Sequence, residues 1–129
     1  MLLDVLGGRA DFADASMEAL TRCLEEGNLS ACDVVWTELA ATIGSAKETE
    51  AKLRQMQVNF SVLVQPSAEL AADAWRDYRR RGGTRARLAP DFLVGGHALL
   101  QADRLLTRDR GFYRAYFKKL DVLDPTASR

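Results

Sequence analysis

The stretch Pro90–Phe112, PDFLVGGHALLQADRLLTRDRGF, sets one aspartate, Asp91, at the head of an apolar helical run. A second, Asp109, follows closely on a short apolar pair, Leu105 and Leu106. The spacing predicts a helix over Asp91–Ala102, a strand over Leu105–Thr107 and a short helix over Phe112–Phe117. Two readings of the acids compete. An acid near a helix start is stabilised by the helix dipole, and an aspartate before Arg110-Gly111 is an ordinary turn residue. The alternative is that both carboxylates hold one metal ion, since hard divalent cations take oxygen ligands from separate parts of a chain.

Outward from this stretch, strands and helices alternate. Phe12–Glu26 carries Phe12, Met17, Leu20 and Leu24 near helical spacing, and Gly27-Asn28 suits a left-handed cap at its end. Leu29–Cys32 reads as a short strand and Asp33–Ile43 as a helix closed by Gly44. Ser45 and Glu48 form a capping-box pattern at the start of a polar helix reaching Gln57. Asn59–Val64, NFSVLV, is the most β-branched and apolar strand candidate. Pro66-Ser67 opens a helix to Arg81, and Val122-Leu123 is a last strand. This order predicts an α/β fold, a parallel sheet covered by helices, with ligands beyond the carboxyl ends of the strands. Asp109 falls just past such an end.

Composition narrows the function classes. The 129 residues fit one domain, 1–129, large enough for a core without disulfides. Formal net charge is zero, so any nucleic-acid role rests on local clusters and not on a global basic field. Cys23 and Cys32 lie in no metal or redox spacing, as expected of a reduced, cytoplasmic protein. No apolar run approaches a membrane span, and MLLDVLGGRAD lacks the basic and apolar regions of a signal peptide.

The segment LAPDFLVGGHALLQADRLLTRDRGFYRAYFKKLDVLDP resembles the C-terminal half of a PIN-domain ribonuclease of the VapC toxin type. The shared pattern is an aspartate opening a helix, an alanine-rich helix with a leucine pair, Leu-Leu-Thr-x-Asp, an aromatic pair, and a proline after a short strand. The helix DVVWTELAAT is similar to the family's second motif, in which one glutamate projects into the site. The resemblance implies a three-layer α/β/α fold. It makes Glu38, Asp91 and Asp109 the catalytic, metal-holding acids for Mg²⁺ or Mn²⁺, with Thr107 as a supporting hydroxyl. It further implies cleavage of structured RNA such as tRNA or rRNA, a VapB-type antitoxin placing an arginine against the carboxylates, and a homodimer. The clustered acids suit that chemistry: ions held by them activate water and neutralise phosphate charge.

The family pattern opens with a strand ending in Asp-Thr-(Asn/Ser)-x-Leu-Leu-Asp, whose first aspartate is a principal metal ligand. This chain begins MLLDVLGG, so Asp4 matches the second, non-catalytic aspartate. The first strand and first catalytic acid are therefore expected upstream of Met1. The alternative is a truncated, catalytically inactive PIN-like interaction domain. Loss of a central strand would leave interior backbone groups unpaired at about 1–3 kcal/mol each. Asp4 itself falls too late in the motif to replace the missing ligand.

Arginines flank these features. Arg79, Arg80, Arg81, Arg85 and Arg87 surround Gly82-Gly83, while Arg104, Arg108, Arg110 and Arg114 flank the acidic stretch. Arg85, Arg87, Arg108 and Arg110 are the candidates for gripping RNA phosphates. Cations closing the helix that ends at Arg81 have an alternative role in offsetting its dipole. His97, the sole histidine, has no acid or nucleophile near it in sequence and is read as packed. Gly95-Gly96 within a helix costs about 1 kcal/mol per glycine relative to alanine, which predicts a close helix–helix or subunit contact. Trp36, Trp75 and the aromatics from Phe112 to Phe117 are read as core or dimer surface. A receiver-type α/β binding domain is the remaining rival, disfavoured because Lys118 and Lys119 lie in a helical segment and not at a strand tip.

Overall fold

The computed structural model describes residues 10–84 and 87–125, apart from the side chains of residues 10–13. Asp4, Arg85 and the apolar start of the chain lie outside the described residues. The elements in order are α1 (Ala10–Glu26), β1 (Leu29–Cys32), α2 (Asp33–Ile43), α3 (Ala46–Gln55), β2 (Val58–Ser61), α4 (Gln65–Arg80), α5 (Ala89–Gln101), β3 (Leu105–Leu106), α6 (Arg110–Tyr116) and β4 (Val122–Leu123). They group into two compact units that divide after Val62, with Pro125 belonging to the first.

In the first unit, local signals set the helix ends. Gly44 takes φ 111° and donates its N–H to the Ala40 carbonyl at 2.9 Å, closing α2. Ser45 then caps α3 by accepting the Glu48 N–H at 3.1 Å, the hydroxyl half of the predicted capping box. Gly27 behaves otherwise than expected. Its N–H bonds the Cys23 carbonyl at 2.9 Å, while the positive-φ glycines among the described residues are Gly44 and Gly82. The helical bonding thus runs on to Gly27, and no left-handed reversal is needed before β1. The buried face of α1 also differs: Ser16, Ala19 and Leu20 are buried, whereas Met17 is exposed.

β1 and β2 pair in parallel, from Leu29 opposite Val58 to Cys32 opposite Ser61. The predicted strand Asn59–Val64 is therefore shifted. The ladder with β1 closes at Cys32 opposite Ser61, so β2 starts one residue earlier and stops three earlier than the pattern predicts; Val62 and Val64 are exposed. Ala31, Leu39, Leu53 and Val58 make the core, with Trp36 meeting Phe60 edge-on at 6.3 Å. Burial pushes the Cys32 thiol up, keeping it protonated as a small apolar side chain.

The second unit is built on two packed helices and an aromatic core. Val64 precedes α4 and donates its N–H to Gln101 Oε1 at 3.0 Å; the buried Ser67 hydroxyl donates to the same oxygen at 2.8 Å. These bonds tie the head of α4 to the end of α5. Midway along α5, a Cβ on Gly96 would lie 2.3 Å from the Ser67 carbonyl oxygen and 3.2 Å from the Ala71 nitrogen. The predicted close contact is thus helix against helix within the chain. Gly96→Ala is expected to destabilise the protein by about 1–3 kcal/mol in urea unfolding, because backbone cannot move aside as a side chain can. A Cβ on Gly95 would first meet the buried Phe117 ring, a side chain that can shift where backbone cannot, so Gly95→Ala is expected to cost less.

β3 and β4 form a second parallel ladder, Leu105 opposite Val122 and Leu106 opposite Leu123. Two-stranded ladders are marginal alone. Here Leu105 and Val122 pack into the aromatic core, which holds the short ladder by side-chain burial. Phe92, fully buried, stacks on Trp75 at 5.5 Å and meets Tyr78 and Phe112 edge-on at 5.5 and 5.3 Å. His97 is buried on α5, as read from the sequence.

Candidate active site

Asp91 and Asp109 both stand at helix starts, yet neither side chain caps its helix. Leu88 holds the N-cap position of α5, and Asp91 follows in the first turn. Asp109 holds the N-cap position of α6 without a side-chain capping bond. Asp91 in the first turn is placed to offset the helix dipole, but neither carboxylate makes a capping bond.

Both carboxylates instead face Arg87. Asp109 Oδ2 accepts from Arg87 Nη1, and Asp91 Oδ2 lies 3.9 Å from the same nitrogen. The guanidinium carbon sits 4.3 Å from the centre of the Phe112 ring, an edge of the aromatic core. The hydrogen bond to Asp109 is the main influence holding Arg87 even more firmly charged, with burial working against it. One element delivers Asp91, another Asp109, and the segment before α5 delivers the cation between them.

Asp109 is fixed through its backbone. Thr107 donates its N–H to the Leu123 carbonyl at 3.0 Å, anchoring the loop to the ladder. Its hydroxyl accepts the Asp109 N–H at 3.1 Å. Thr107 thus positions the main chain of Asp109, where the sequence suggested a bond to the carboxylates.

Glu38 belongs to the first unit, exposed on α2. The second unit brings together Asp91 and Asp109. Among the described residues no group of three or more His, Cys, Asp or Glu side chains is gathered to hold a metal. Two partly exposed carboxylates directed at one cation nevertheless fit a hard divalent ion, because Mg²⁺ is commonly held by one or two carboxylates, with water and phosphate completing its shell.

The arginines divide by environment. Arg80 and Arg81 pair with Asp77 at 3.7 and 3.4 Å, Arg81 also lies over Tyr116, and Arg79 lies over Trp75. These contacts favour the helix-end role for that cluster. Arg108 is half-buried and Arg110 exposed, on either side of Asp109. What sequence reasoning missed was the role of Arg87 as the shared partner of both acids. The available signal was its closeness in sequence to Asp91, just ahead of the predicted helix start.

The PIN domain family matches residues 2–118. The chain belongs to the PIN domain family. PIN domains are generally nucleases and typically use divalent metals. The match runs through both units and includes Glu38, Asp91 and Asp109. The fold is similar to that of a chain in the crystal structure of VapBC2 from Rickettsia felis bound to a DNA fragment from their promoter. The TM-score is 0.68 at 14% identity, covering 95% of this PIN chain and 91% of the other. No curated relative matches. Among the described residues no helix is long and apolar enough to cross a membrane.

Proposed function

We propose that this PIN chain is a Mg²⁺- or Mn²⁺-dependent endoribonuclease of VapC type, the toxin of a type II toxin–antitoxin pair, acting on structured RNA such as tRNA or rRNA. The observation that carries the reading is the convergence of Asp91 and Asp109 on a single cation. A bound divalent ion would supply charge neutralisation on the phosphate and an activated water. Asp91 and Asp109 would hold it from α5 and the β3–α6 loop, with Glu38 as the third acid. Thr107 would keep Asp109 in register. Arg108 and Arg110, with Arg85 and Arg87, would grip the RNA backbone. The likeness to a VapBC2 structure supports a VapB-type antitoxin as partner. A homodimer in the cytoplasm completes the proposal.

A second reading is an inactive PIN-like interaction domain, in which the ion pairs of Arg87 with Asp91 and Asp109 would be purely structural. Incubation of the protein expressed from its natural locus with tRNA and with rRNA distinguishes the two. The expected result is cleavage with Mn²⁺, none with a chelator, and none from an Asp91→Asn chain that binds the same RNA. RNA left intact at millimolar Mn²⁺ would favour the interaction domain.

A further inference from the structure

We infer that Arg87 is a built-in competitor for the metal: its guanidinium holds the carboxylates of Asp91 and Asp109 in the absence of a divalent ion and must swing away for one to enter. The inference rests on the proposed metal site but goes beyond it, since the family chemistry requires only the acids.

The geometry carries it. Nη1 of Arg87 contacts Asp109 Oδ2 and faces Asp91 Oδ2 at 3.9 Å, so one cationic nitrogen stands before both oxygens. A divalent ion using those oxygens would need the same approach and would be repelled by the guanidinium. The contact is also stable enough to matter. The Arg87 side chain is 30% exposed and is seated on the Phe112 ring, which lowers the cost of holding it in one orientation. At the same time it can leave. Arg87 precedes α5 and is followed by the exposed Leu88, so a rotation of the side chain reaches solvent without opening the core. While the arginine is in place, it offsets the mutual repulsion of the two carboxylates. Once displaced, it remains beside the site with its charge available to a phosphate.

The test is Mn²⁺ affinity, read from the free-ion electron paramagnetic resonance signal, in the wild-type, Arg87→Gln and Arg87→Lys chains. Arg87→Gln is expected to bind Mn²⁺ about tenfold more tightly or better, the scale of removing one nearby positive charge from a partly exposed site. Arg87→Lys keeps the charge and is expected to change affinity less. In the wild-type chain, Mg²⁺ should shift the Arg87 Nε–Hε resonance, a readout that needs no variant. Equal Mn²⁺ affinity in wild type and Arg87→Gln, with binding lost in Asp109→Asn, would overturn the inference and leave the proposed metal site standing. Absence of Mn²⁺ binding in every chain would overturn both.

Discussion

An Asp109→Asn chain will lose at least about a hundredfold in kcat/KM for metal-dependent RNA cleavage, because a metal's charge stabilisation is worth several kcal/mol and each tenfold in rate corresponds to about 1.4 kcal/mol. Its stability will change by no more than about 1 kcal/mol, the usual limit for a partly exposed ion pair. Both expectations follow from position. The carboxylate of Asp109 makes no capping bond to α6, and its ion pair with Arg87 is open to solvent on one side. The backbone N–H that Thr107 holds remains in the asparagine chain, so the loop keeps its shape. If Asp109 were only a turn residue, activity would follow the folded fraction. Rates at saturating Mn²⁺ set beside urea unfolding midpoints separate the two cases, and a drop in activity that tracks loss of fold would remove Asp109 from the ligand set.

Phe92→Ala should have the largest effect on stability, about 3–5 kcal/mol, as for aromatic truncation in a well-packed core. Phe92 is 0% exposed, and its ring touches Trp75, Tyr78 and Phe112 at once. Against a typical total of about 5–15 kcal/mol, that loss would leave little margin. The site should suffer as well, since Asp91 is its chain neighbour and Phe112 is the seat of Arg87. Phe60→Ala is the comparison. Phe60 is 55% exposed, and its removal should shift the urea midpoint far less. A Phe92→Ala midpoint close to wild type would mean that the aromatic cluster does not hold this unit together.

Much of this was legible in the sequence where a local cause sets the outcome. Ser45 with Glu48, and Gly44 at φ 111°, act through bonds to residues three or four positions away, so their spacing alone placed the helix ends. β2 was less legible. Val62, Leu63 and Val64 look like strand residues, but the ladder's extent is set by β1, whose four residues pair with Val58–Ser61. Met17 was misread for a similar reason: helical spacing allows neighbouring faces, and packing chose the one bearing Ser16, Ala19 and Leu20. That Asp91 and Asp109 stand at helix starts was legible because strand-to-helix order delivers them. Arg87 was not, because an arginine near a glycine pair suggests phosphate binding, and only the fold reveals that two acids already face it.

The ladder that carries Asp109 is only two residues long on each strand, and its flanking bonds run from the amides of Leu105 to Asp121 and of Thr107 to Leu123. Those two amides are therefore clocks for the loop that bears Asp109. Their exchange with deuterated solvent measures how often the loop lets go of its support, and so how long the Asp109 carboxylate is held facing Arg87.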